Sequence, residues 1–148
     1  MKMEKLNTAH LEQCIKTLES SLERLNKAEP DSVDYEVFRN ATVKGFELTL
    51  ETSGKLLRKI LKTYQGNPRT VDELTYKDLF RQVTKHGLLD PDSVTRWFSY
   101  RDNRNNTAHD YGVSFVKTTL KLLPYFLEDA KALNHVLKQK ISADDART

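Results

Sequence analysis

An arginine, a histidine and a tyrosine fall within eight residues, Arg104-Asn105-Asn106-Thr107-Ala108-His109-Asp110-Tyr111. Arginine is always charged and grips phosphate oxygens with a planar fork of donors. Histidine gives or takes a proton near neutral pH. These groups can cut RNA without a metal. The 2′-hydroxyl attacks the adjacent phosphorus, a base removes its proton, an acid protonates the leaving 5′-oxygen, and a cation stabilises the phosphorane. Each proton transfer contributes roughly 10²–10⁴-fold, and the guanidinium supplies the electrostatic part. In this scheme Arg104 holds the phosphate, His109 is the base or acid, and Asn105 orients the histidine or donates to phosphate. One copy of the stretch supplies only one histidine, whereas two copies facing each other supply both acid and base. The chemistry therefore predicts a two-fold homodimer with the site across its interface.

The same residues also fit purely structural roles. Arg104 near a helix C-terminus complements the helix dipole. Asn105-Asn106-Thr107 suits an ordinary turn. His109 then serves as an interhelix histidine and Tyr111 as a core aromatic.

No other cluster competes for the chemistry. His10, His86 and His135 lack metal-site spacing and suit surface or capping positions, so no metal or other cofactor is expected. There is no glycine-rich phosphate loop. Lys55, Arg58, Lys59 and Lys62 form a basic patch on one helix, readable as a solvated face or as a docking face for RNA or protein.

The elements that must position the motif are helical. The chain has 148 residues, 30% of them charged and 38% apolar, with only 5 glycines and 4 prolines. That balance suits one all-helical domain and argues against an all-β fold. The formal charge of +3 permits nucleic-acid contact without requiring it. Asp102 and Asp110 flank the motif against Arg96, Arg101 and Arg104, so non-specific RNA affinity should be modest and salt-sensitive. No apolar run approaches the ~18 residues of a membrane span, and the polar start Met1-Lys2-Met3-Glu4-Lys5 lacks a signal-peptide core. The single Cys14 reads as a small core residue. A cytoplasmic protein with no membrane contact is expected.

Apolar periodicity predicts five helices. Leu11, Ile15, Leu18, Leu22 and Leu25 mark the first, over about 8–28, and Glu29-Pro30-Asp31-Ser32 ends it and caps the next. The second runs over about 33–64 along Phe46, Leu50, Ser53, Leu57, Ile60 and Tyr64, extended backwards by Tyr35, Phe38 and Thr42. Its Ser53-Gly54 pair suggests a bend or a close helix crossing. Thr75 to Asp78 reads as a capping box for a short helix that ends at His86-Gly87. Asp90-Pro91 opens a fourth helix bearing Val94, Trp97, Phe98 and Arg101. A last helix starts near Ser114 and is apolar on two lines, through Phe115, Thr119, Leu122, Phe126, Ala130, Leu133 and Leu137, and through Val116, Leu120, Leu123 and Leu127. Pro124 should kink it. The expected architecture is an up-and-down bundle of four or five helices over residues 1–141. A polar tail, 142–148, should fray.

The chain resembles the HEPN superfamily and, within it, the nucleotidyltransferase substrate-binding proteins. Arg104-Asn105 and His109 match the superfamily's arginine, polar residue and histidine, and Tyr111 matches the tyrosine that the subgroup adds. Arg39, Val43-Lys44-Gly45-Phe46-Glu47, Glu51 and Lys55 resemble the subgroup's long second helix, and Asp90 to Tyr100 fits the approach to the motif. The likeness covers most of residues 8–137. It implies a homodimeric helical bundle whose motifs meet in a cleft. It also implies a metal-independent endoribonuclease toxin and a partner, a minimal nucleotidyltransferase antitoxin. In such pairs the partner transfers AMP from ATP to the motif tyrosine, here Tyr111. Modification places an anion beside Arg104 and fills the RNA cleft. RNA is the implied substrate, and DNA binding is not expected. The resemblance also admits a non-catalytic subunit that delivers a substrate to a separately encoded nucleotidyltransferase. A helical dimerisation module without a ligand is the third reading.

Overall fold

The computed structural model describes residues 6–106 and 113–147; for 106, 113–115 and 144–147 it describes the backbone alone. The described residues form six helices: α1 (Ala9–Lys27), α2 (Val33–Lys62), α3 (Pro68–Asp72), α4 (Tyr76–Lys85), α5 (Pro91–Asn106) and α6 (Val113–Arg147). The five predicted helices are all present. The sixth, α3, has five residues, too few for an apolar stripe. It is set by Asn67, whose side chain accepts from Arg69 N–H, by Pro68 at its start, and by buried Val71.

Local chemistry fixes the boundaries. Asp31 takes a positive φ of 66°, a conformation that Asp tolerates, and Ser32 caps α2 by accepting from Tyr35 N–H at 3.0 Å. Thr75 caps α4 by accepting from Asp78 N–H at 3.1 Å. Gly87, at φ 74°, closes α4. Its N–H reaches Thr84 O at 3.0 Å while Leu88 N–H reaches Val83 O at 3.1 Å, the paired bonds of a Schellman stop. Asp90 opens α5 through Asp92 N–H at 3.1 Å.

The two long helices, α2 and α6, span ~45 and ~52 Å at 1.5 Å per residue. They pack on each other and on α1. Gly45 makes the tight crossing: a Cβ there would meet Leu18 Cδ1 at 3.2 Å. The close approach predicted at Ser53-Gly54 thus falls two turns earlier. Ser53 is buried and donates to Thr49 O at 2.8 Å, and Gly54 faces a cleft described below. α6 buries residues on both of its apolar lines, Phe126 and Leu133 on one and Leu123 and Leu127 on the other. Pro124 stands inside α6, where it cannot donate to the carbonyl four residues earlier. The backbone remains helical to Arg147, across the polar segment 142–147.

An aromatic cluster joins four helices. Phe46 of α2 and Phe126 of α6 meet edge to face at 4.8 Å, Tyr100 lies 5.0 Å from Phe126, and Trp97 lies 5.5 Å from Phe80 and 5.8 Å from Phe126. Lys138 of α6 binds Glu12 of α1 at 2.7 Å, and Lys131 pairs with Glu19. The Lys138 hydrogen bond holds the Glu12 carboxyl below the usual carboxylate range.

Candidate functional site

The end of α5 carries the part of the motif that the structure describes. Arg104 and Asn105 lie in its last turn, and the helix runs through Asn106. The turn expected at Asn105-Asn106 is therefore helical over those residues. Arg101 Nε donates to Asn105 Oδ1 at 3.2 Å, an i,i+4 bond that helical geometry creates. His109 and Tyr111 lie outside the described residues.

Two groups of contacts hold this turn in place. On the buried face, Asn103 is 9% exposed and its Nδ2 donates to Thr119 Oγ1 of α6 at 2.9 Å. One turn back, Asp129 of α6 accepts from Tyr100 Oη at 2.5 Å and from both arms of Arg96, Nε at 2.9 Å and Nη2 at 2.8 Å. Burial, and then the bond to Asp129, push the Tyr100 phenol up from its ordinary value, so it remains a donor. Arg96 is raised first by its hydrogen bond to the same carboxylate. Asp129 is 8% exposed, and these three bonds satisfy both of its oxygens.

The other face of α5 opens on a cleft of about 320 Å³ between α2, α4 and α5. Among the described residues four cations line it, Lys55, Arg58, Arg101 and Arg104, against one carboxylate, Glu51. Two of the guanidiniums are fixed. Arg101 lies over the Tyr76 ring with its carbon 4.5 Å from the centroid, and Tyr76 in turn stacks on Phe80 at 4.4 Å. Arg58 Nη1 donates to Val71 O at 2.7 Å and Leu74 O at 3.1 Å, tying α2 to the segment that follows it. Lys55 is exposed and bonds Glu51 at 3.0 Å. That hydrogen bond, with a further contribution from Arg104, holds the Glu51 carboxyl below the usual carboxylate range. Gly54 presents no side chain here. A Cβ would meet only Tyr76 Cε2, at 3.9 Å.

The basic patch of α2 therefore divides. Lys55 and Arg58 face the cleft, Lys62 pairs with Asp72 at 2.7 Å, and Lys59 is exposed and not part of the cleft lining. His10 lies 3.7 Å from the sulfur of half-buried Cys14, and His86 stacks on Tyr64 at 4.5 Å. Among the described residues no three histidine, cysteine or acidic side chains could share a metal ion, and no helix is long and apolar enough to cross a membrane.

Residues 6–139 match the model of a family described as nucleotidyltransferase substrate binding protein like. The chain belongs to that family. A Haemophilus influenzae protein named probable ribonuclease HepT is 24% identical over 148 residues, which cover 97% of this chain and 100% of that one. A solved H. influenzae structure superimposes with a TM-score of 0.79 at 23% identity, covering 89% of this chain and 99% of the other. It is described as revealing the fold of a substrate-binding domain of a nucleotidyltransferase. The fold of this family member is thus the fold that the sequence resemblance implied.

Sequence reasoning missed three parts of the site. Asn103 continues the buried line Ser93, Trp97 and Tyr100 at helical spacing, a signal that was present in the sequence. Tyr76 as a platform for Arg101, and Gly54 as an opening, come from the meeting of three helices, and no local pattern announces them.

Proposed function

We propose that this protein is a metal-independent endoribonuclease whose site is composed of two facing copies of the motif. The observation that carries the reading is Arg104, placed in the last turn of α5 beside a cleft whose described lining holds four cations and one carboxylate. A phosphodiester is the ligand that such a cleft attracts. The name of the H. influenzae relative supports the same class of activity. In this reading Arg104 binds the non-bridging oxygens of the scissile phosphate. His109 from each chain supplies the base and the acid, and Asn105, through Arg101, holds the cationic turn in register. The attacking 2′-oxygen forms its bond to phosphorus as the bond to the 5′-oxygen breaks. One histidine accepts the first proton, the other returns one to the leaving oxygen, and the product ends in a cyclic phosphate.

The protein acts, in this reading, as the toxin of a pair whose antitoxin is a minimal nucleotidyltransferase. The Tyr111 oxygen attacks the α-phosphorus of ATP, pyrophosphate leaves, and the phenol proton passes to a base. The bound adenylate then sits beside Arg104 as an anion that blocks RNA. Intact mass after incubation with ATP and the partner should rise by one or more adenylates. A Tyr111→Phe protein that still gains the mass contradicts the acceptor assignment.

The decisive assay is cleavage of a defined RNA by the pure protein in EDTA, with the product ends identified. Cyclic phosphates whose formation requires His109 are expected. Full-rate cutting by a stable monomer contradicts the composite site. A second reading, a subunit that presents a substrate to the nucleotidyltransferase, draws on the description of the related solved structure. Toxicity of the chain expressed without that partner favours the nuclease, and silence of the unmodified dimer on several RNAs favours the subunit.

A further inference from the structure

We propose that the cleft between α2, α4 and α5 is a second phosphate site, which holds an RNA phosphate flanking the bond to be cut, with Lys55 as its adjustable contact. The inference rests on the nuclease reading of Arg104 and extends the substrate from one phosphodiester to at least two.

The cleft has more cationic apparatus than one scissile phosphate requires. Arg104 stands at the motif end, while Lys55 and Arg58 stand on a different helix and belong to no part of the motif. Arg58 and Arg101 are immobilised, one by two backbone carbonyls and the other by the Tyr76 ring and Asn105, so their ordering cost is met by the fold before any ligand arrives. Lys55 differs, because its ammonium is exposed and pairs with an exposed carboxylate one turn away, Glu51. Such i,i+4 pairs are worth only about 0.3–0.5 kcal/mol, so a phosphate readily draws Lys55 from Glu51. The volume of about 320 Å³ lies at the small end of ligand sites. It suits a phosphate and its sugar rather than a folded RNA element. Leu50, Leu79 and the Tyr76 ring supply apolar wall beside the cations, against which the C–H face of a ribose can pack. The absent side chain at Gly54 keeps this space open.

A phosphate of this kind comes from RNA or from a free nucleotide, and the experiment separates them. The first arm measures kcat/KM on a dinucleoside monophosphate and on the same dinucleotide extended by one phosphate-linked nucleotide. The flanking phosphate should raise kcat/KM in the wild-type dimer. Lys55→Gln should shrink that gain about ten- to hundredfold, the size of one charge-assisted contact, Glu51→Gln should enlarge it, and the control Lys59→Gln should preserve it. A gain unchanged in Lys55→Gln overturns the site. The second arm reads binding without cleavage, through the salt dependence of a fluorescent single-stranded oligonucleotide. Lys55→Gln should reduce the slope of log K against log salt by about 0.7, one phosphate contact on a single strand. A preserved slope overturns the site whether or not the protein cuts RNA. Loss of cleavage everywhere with a reduced slope retains the site and removes the nuclease reading. AMP alone binding as tightly as the oligonucleotide, with Lys55→Gln weakening only AMP, assigns the cleft to free nucleotide and overturns the RNA assignment.

Discussion

The two faces of α5 solve opposite problems with neighbouring residues. Along the buried face, Trp97, Tyr100 and Asn103 meet α6, and the polar atoms of Tyr100 and Asn103 each have a partner in Asp129 or Thr119. Along the cleft face, Arg101 and Arg104 stand with Lys55 and Arg58, and positive charge is left in excess. The first face pairs the Tyr100 hydroxyl and the Asn103 amide across to α6, while the Trp97 indole N–H is buried without a partner among the described residues; the second face gathers cations at the cleft. One helix thereby anchors the motif and charges it. The contrast teaches that stability and ligand attraction are carried by different residues one position apart, so substitutions should separate them.

The largest separation is expected at Trp97. Its ring is fully buried among Phe80, Tyr100 and Phe126, and Trp97→Ala should cost about 3–5 kcal/mol of unfolding free energy, measured by urea titration. An unchanged midpoint would break the comparison. Asp129→Ala comes next. It strips Tyr100 of its acceptor and leaves half-exposed Arg96 unpaired, so a loss of about 2–3 kcal/mol is expected. Gly54→Ala reverses the sign. The new methyl makes an ordinary contact with Tyr76, and replacing glycine inside a helix should raise stability by about 1 kcal/mol, read as a higher Tm. The smallest effect belongs to Arg101→Gln. Loss of its contact with the Tyr76 ring should cost only about 0.5–1 kcal/mol, while oligonucleotide affinity falls and its salt slope flattens. A stability loss as large as that at Trp97 would place Arg101 with the core rather than the cleft.

These regions differ equally in how far the sequence discloses them. Trp97 and the two apolar lines of α6 are legible because burial repeats at the helical period, and the helix starts at Ser32, Thr75 and Asp90 and the stop at Gly87 are legible because capping chemistry is local. The helix α3 is not, since five residues hold no period. Arg104 and Asn105 are marked by type and spacing, and the place of Arg104 near a helix C-terminus is legible too; the continuation of the helix through Asn105 is not, because the contacts that hold the end of α5 include one from Asn103 to a residue sixteen positions away. The cleft was hidden for the same reason. Arg58 looks like any surface cation on α2 until the carbonyls of Val71 and Leu74 reach it. Tyr76 looks like a capping-box neighbour until Arg101 lies over it. A basic patch read from one helix therefore contained two cleft residues, one ion pair and one exposed lysine, a division that only packing makes.

The most direct test compares RNA cleavage in EDTA with thermal unfolding in the same two proteins, wild type and Arg104→Ala. Loss of a donor to the transition-state phosphate should slow cleavage by about 10²–10³-fold, and Tm should stay within a degree or two of wild type. Cleavage at the wild-type rate, or a fall in Tm that accounts for the lost activity, would contradict the assignment of Arg104 to phosphate and the separation of the two faces of α5.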